Sequence, residues 1–136
     1  MALAPLVKVL FLKQVSLFRE IPAEDVAALL PIADEVSFQS GDVVIREGDT
    51  GDALYLIVEG TIGISAGGVP TGKRLGSRDV IGELSILTGD PRSVTCTAES
   101  EVLALRIHRE PFWQLMRERP EVPIGLVKIL TGYLKK

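Results

Sequence analysis

The chain of 136 residues has one cysteine, one histidine and one tryptophan, and each scarcity removes a class of function. A lone cysteine, Cys96, cannot close an internal disulfide and fits a reducing compartment. Its neighbours Val94, Thr95 and Thr97 have the β-branched character of a strand, so Cys96 reads as a buried structural thiol with nothing nearby to lower its pKa. A lone histidine, His108, cannot build the multi-histidine metal site of a cupin-type β-roll enzyme. No Ser-His-Asp set assembles around it either. His108 therefore reads as a solvated residue at a helix start, and Trp113, beside Phe112, as a packing anchor. No apolar run approaches the roughly twenty residues of a membrane span. The apolar start, Met1 to Leu12, is interrupted by Lys8, followed by Lys13, and no cleavage-like site follows it. Positive charge is not in excess: 15 Lys+Arg face 18 Asp+Glu, a formal charge of -3, so no basic field recruits nucleic acid. Asp42, Asp49 and Asp52 lack the alternating ligand loop and terminal Glu of an EF-hand and are turn residues. These absences predict a cytoplasmic, non-enzymatic protein without a metal, a cofactor, a membrane span or direct nucleic-acid binding.

What is present is enough apolar sequence, 46% of the chain, to bury the core of one domain over residues 1–136. Its period changes twice. Residues 1–33 space their apolar side chains helically: Leu6, Val7, Leu10 and Phe11 on one face, then Val26, Leu29 and Leu30 on another. Pro22 followed by Glu24 and Asp25 has the make-up of a helical first turn, and Phe18 plugs the connection. Residues 34–108 break into short β-rich runs at Val36–Phe38, Val43–Ile45, Leu54–Val58, Thr61–Ile64 and Val102–Ile107. Gly41, Gly48, Gly51, Gly60 and the Gly67-Gly68 pair punctuate them, where tight turns call for positive φ. Residues 109–136 return to the helical period with Phe112, Leu115 and Met116, then Ile124, Val127, Ile129, Leu130 and Leu134 after Pro120 and Pro123. Many short strands between helical flanks predict a mainly β fold, an antiparallel roll of the jelly-roll type with N-terminal helices and C-terminal helices.

One stretch, residues 81–95, has the chemistry of a small anion site. Gly82 allows close backbone approach, and Glu83 to Leu87 can form one helical turn whose leading N–H groups, at Leu84 and Ser85, point outward. Arg92 supplies a permanently charged fork suited to a phosphate diester, with the Ser93 hydroxyl beside it. Glu83 repels a phosphate, but accepts a hydrogen bond from a sugar hydroxyl. A ligand with a ribose hydroxyl on one side and a singly charged phosphate on the other satisfies both groups. The competing reading is a surface ion pair between Glu83 and Arg92, worth little, and spacing alone does not separate the two.

The run Gly82-Glu83-Leu84-Ser85, five residues, then Pro91-Arg92-Ser93-Val94-Thr95 resembles the phosphate-binding cassette of the cyclic nucleotide-binding domain family. Upstream, Phe38, Gly41-Asp42, Gly48-Asp49, Gly51-Asp52, Leu54-Tyr55, Ile57 and Gly60 resemble its glycine-punctuated strands. Ile81, Ser85 and Val94 depart from the Phe, Ala and Ala more usual at those places, without removing a polar ligand contact. The resemblance implies a β-roll in which Glu83 binds the ribose 2′-hydroxyl of cyclic AMP or cyclic GMP. Arg92 and Ser93, with the backbone of Leu84 and Ser85, bind the cyclic phosphate. It also implies a C-terminal helix closing as a lid. Leu75 and Val80 are expected on the purine wall, and Leu126, Leu130 and Tyr133 on the lid. The function expected is a ligand-gated regulatory sensor acting through an output domain or partner protein outside this chain, or through a homodimer of the terminal helices. The rival is an interaction module of the same fold that no longer binds nucleotide.

Overall fold

The computed structural model describes residues 3–134. Its centre is a pair of four-stranded antiparallel sheets. The strands are β1 (Ala33–Phe38), β2 (Val43–Ile45), β3 (Ala53–Glu59), β4 (Ile62–Ala66), β5 (Val69–Leu75), β6 (Val80–Ile81), β7 (Thr95–Ala98) and β8 (Val102–His108). One sheet runs β1-β8-β3-β6 and the other β2-β7-β4-β5. The helices are α1 (Pro5–Gln14), α2 (Ala23–Ala27), α3 (Glu83–Thr88), α4 (Arg109–Glu118) and α5 (Glu121–Leu134), with 3-10 turns at Ser16–Phe18 and Leu30–Ile32. This is the antiparallel roll with helical flanks that the sequence predicts.

The period-two alternation of β8 explains the layering. Val102 and Ala104 face the other sheet and join Val44, Ile57, Ile62 and Cys96 in the roll interior. Leu105 and Ile107 face outward, where Phe18, Phe112, Leu115, Val122 and Leu126 from the helices cover them. Phe18 is 1% exposed, the plug expected of it.

Five strands fall where the apolar runs place them, and β7 where Thr95 and Thr97 indicate it. β5 and β6 are not legible in advance. β5, Val-Pro-Thr-Gly-Lys-Arg-Leu, is exposed along nearly all its length and has no apolar alternation. The two-residue Gly67-Gly68 turn makes it a strand: both glycines have positive φ, 59° and 80°, and Ala66 pairs with Val69 across the turn. Gly51 departs from the expected positive φ. It is glycine because a Cβ there would collide with the Ser85 side chain, drawing the loop before β3 against α3.

The N-terminal helix corrects the sequence reading. Leu6, Val7 and Leu10 are 69%, 49% and 52% exposed, whereas Leu12 is fully buried. Of the expected Leu6-Val7-Leu10-Phe11 face only the half-buried Phe11 packs inward, beside Leu12. The second helix is shorter than its apolar pattern, ending at Ala27, with Leu30 in the following 3-10 turn. Pro22 caps it rather than opening it.

Candidate functional site

The cassette begins where β6 ends. Gly82, with φ 88° and ψ 14°, turns the chain in the left-handed region and serves as the N-cap of α3. A side chain there would strike the Arg92 guanidinium and lie 3.1 Å from the Ala53 carbonyl, so glycine is required twice over. The Gly82 carbonyl accepts the Ile86 N–H at 3.2 Å. Gly89, also left-handed at φ 81°, ends the helix, its N–H donating to the Ser85 carbonyl at 2.8 Å. Within this single turn the N–H groups of Leu84 and Ser85 have no acceptor inside the helix.

Arg92 is held from both sides. Its N–H donates to the Asp49 carbonyl at 2.8 Å, and its own carbonyl accepts from Gly48 at 2.9 Å; Thr50 and Pro91 form a bridge alongside. The side chain turns inward and is 5% exposed, with Nη1 donating to the Gly82 carbonyl at 3.3 Å and Nη2 to the Ala53 carbonyl. Carbonyl dipoles rather than a carboxylate fix the fork, so the charge is not neutralised and N–H groups not used by the two carbonyls remain for a ligand.

Gly82, Glu83, Leu84, Ser85, Arg92 and Ser93 line one cavity of about 270 Å³, joined there by Leu75 and Val80. The structure thus gathers the whole expected polar set and both expected wall residues. Its remaining walls, Ile45, Ile64, Ile81, Val94 and Cys96, come from the roll interior. Val94, one of the departures from the family's usual residues, lines the cavity as well as packing against the core. An adjoining chamber of about 250 Å³ shares Leu75, Val80 and Glu83 and is bounded by Arg78, Asp79 and Tyr133. Together they reach the size of small-molecule sites, roughly 300–1,000 Å³.

The lid residues separate. Tyr133 borders the chamber, but Leu126 and Leu130 lie elsewhere, in an apolar cavity with Leu87 and Trp113. Gly125 explains this: a Cβ on it would come within 2.6 Å of Ile21 Cγ1, so α5 lies flat against the N-terminal segment. Leu126 is thereby committed to the core at 3% exposed, and only the end of α5 reaches the cassette.

The electrostatics fit an anion flanked by a hydroxyl donor. Burial raises the Glu83 carboxyl above its ordinary value of 4.5, opposed by its own main-chain N–H and by Arg92. A buried carboxylate of this kind gains from a neutral hydroxyl donor. Burial also pushes the Cys96 thiol up to about 11, which Arg92 moderates.

Several supports were invisible in the sequence because they act through main-chain atoms: the carbonyls of Asp49 and Ala53, and that of Ile86. The last accepts from Arg109 Nε at 3.1 Å and Trp113 Nε1 at 2.9 Å. Gly82, read for close backbone approach, was a legible trace of this framework.

Comparison with known proteins agrees with the geometry. The family model described as the cyclic nucleotide-binding domain matches residues 35–119. The chain is 31% identical over 130 residues to a CRP-like cAMP-activated global transcriptional regulator of Mycobacterium tuberculosis, covering 92% of this chain and 58% of that protein. It is 33% identical to a cAMP-dependent protein kinase regulatory subunit of Dictyostelium discoideum, over 77% of this chain and 34% of that one. This chain therefore spans less than two thirds of those relatives. The crystal structure of the N-terminal domain of a transcriptional regulator from Streptomyces coelicolor superposes with a TM-score of 0.79 at 32% identity, covering 92% of this chain and 90% of that one. With the roll, the glycine turn and the inward arginine in place, and the match taking in the whole cassette, the chain belongs to the cyclic nucleotide-binding domain family.

Proposed function

We propose that residues 1–136 form one regulatory unit that binds a cyclic nucleotide in the cassette cavity, with cyclic AMP the first ligand to test because the named relatives are cAMP-activated or cAMP-dependent. The observation carrying this reading is that Glu83 and Arg92 line one cavity with Gly82 and the first turn of α3. Arg92 and Ser93, with the N–H groups of Leu84 and Ser85, take the cyclic phosphate. Glu83 accepts from the ribose 2′-hydroxyl. Leu75 and Val80 form the apolar wall for the purine, with Tyr133 at the far side of the chamber. Binding favours the conformation in which these groups converge, and the ligand's differential affinity for that state limits any output. The output lies in another domain, a partner protein or a second copy, and the unit itself catalyses nothing.

Calorimetric titration with cyclic AMP and cyclic GMP tests the reading. Saturable binding is expected, weakened in Arg92→Lys, which keeps the charge and loses the fork, by about 2–4 kcal/mol. Thermal melts of the variant establish that it is folded. Absence of binding by the wild type at millimolar nucleotide would leave the chain an interaction module of the same fold.

A further inference from the structure

Beside the cassette cavity, and sharing α3 with it through Leu87, a second cavity of about 350 Å³ opens between α4 and α5. Its wall is apolar: Leu87 from α3, Trp113 and Met116 from α4, Leu126 and Leu130 from α5. The Trp113 Nε1 is already used by the Ile86 carbonyl, so the indole offers the cavity only its ring. Val127 of α5 lines it while 58% exposed, and the apolar surface continues to Ile124, 45% exposed. Against this stands one charged lining residue, Arg117, exposed and without an ion pair among the described residues.

We infer that this cavity binds an amphipathic monoanion, an aliphatic chain ending in a carboxylate. The reasoning is one of complementarity. A cleft walled by Leu, Met and Trp gains from burying flexible aliphatic surface. A purely apolar ligand leaves the exposed Arg117 to solvent and gains nothing from it, whereas a carboxylate at the mouth pairs with its fork. A multiply charged ligand finds no second cation among the lining residues. The cavity shares none of its lining residues with the cassette cavity, so this assignment does not rest on cyclic nucleotide binding.

Trp113 is the sole tryptophan of the chain, and its fluorescence reports on the cavity directly. The experiment titrates the whole chain with ω-bromodecanoate, whose heavy atom quenches on contact, and with decanoate and decanol as competitors, all below micelle-forming concentrations. Light scattering runs in parallel. Saturable quenching is expected, displaced by decanoate at least fivefold more effectively than by decanol. Arg117→Gln, an exposed change, should cut affinity for the bromoacid about fivefold, as for an exposed charge pair, and leave decanol unaffected. Any of the following results overturns the inference. One is absence of saturable quenching. Another is equal competition by decanol and decanoate, or an Arg117→Gln variant that binds unchanged. The last is a dimer that bromodecanoate dissociates, which would make the occupant a second copy of the chain.

Discussion

The indole Nε1 of Trp113 donates to the main-chain carbonyl of Ile86 across 2.9 Å, tying α4 to the helical turn that follows Gly82. Arg109 reaches the same carbonyl at 3.1 Å, and its guanidinium lies 5.7 Å from the Trp113 ring centroid. The end of a single-turn helix, otherwise left with unsatisfied carbonyls, is clamped to the next element of the fold. Trp113→Phe keeps most of the packing and removes one donor from a carbonyl that retains another. It should lower stability by about 0.5–1 kcal/mol, read from the urea midpoint. A loss several times larger would mean that indole packing, not the hydrogen bond, holds the clamp.

Glu83 gives a pH signature. Its carboxyl titrates above its ordinary value of 4.5, chiefly because it is buried. A carboxyl whose folded pKa exceeds its unfolded one contributes stability in its protonated form: fully present below the unfolded value, lost as pH rises through the folded value. Glu83→Gln removes that titration. The variant should therefore gain on the wild type as pH climbs from 4.5 towards neutrality, while its affinity for cyclic nucleotide falls. Denaturation curves across that range check the sign. A variant that loses stability relative to the wild type as pH rises would reverse the assignment.

Cys96 should be inert. Its thiol sits at about 11 and the residue is 1% exposed, so at neutral pH only about one thiol in ten thousand is ionised. Iodoacetamide labelling of the native chain should be slow, speeding up in urea as the roll opens. Prompt labelling of the native protein would show that the wall formed by β7 opens without global unfolding.

Arg78 is the one non-glycine residue with positive φ, 76°, among those described, and it borders the chamber beside Glu83. The left-handed region costs an L-residue roughly 1–2 kcal/mol, and the entropy glycine loses on folding returns about half of that. Arg78→Gly should raise stability by about 0.5–1 kcal/mol, seen as a higher thermal midpoint. A lower midpoint would mean that the arginine side chain makes contacts worth more than the strain.

Much of this architecture was legible because its signals are periodic or chemical. The strands at Leu54–Val58 and Val102–Ile107 announce themselves through β-branched and aliphatic runs, and the cassette through the pairing of Gly82-Glu83 with Arg92. Two kinds of feature were hidden. β5 forms from polar residues because a glycine turn and its neighbour β4 impose it, a tertiary effect that no local propensity encodes. The α1 face was misread because Leu6, Val7 and Leu10 are as apolar as core residues, and pattern alone cannot tell a face with a partner from one without. Leu126 and Leu130 were assigned to the ligand for a related reason. Helical spacing gives the face of a helix but not the neighbour it meets, and that neighbour was fixed by Gly125 against Ile21.

The order β1-β8-β3-β6 also has a temporal meaning. The strand between β1 and β3 is the last in sequence, with Ala33 paired to Ile107 and Leu54 also to Ile107. A chain emerging from the ribosome therefore carries β1 with no partner, and β3 paired only to the two-residue β6, until residues 102–108 have been made. Assembly of this sheet has to await the whole cassette, through contacts of long sequence separation that close slowly. A nascent or truncated chain stopping short of β8 is an aggregation hazard, so the cassette is synthesised before the sheet that supports it can close.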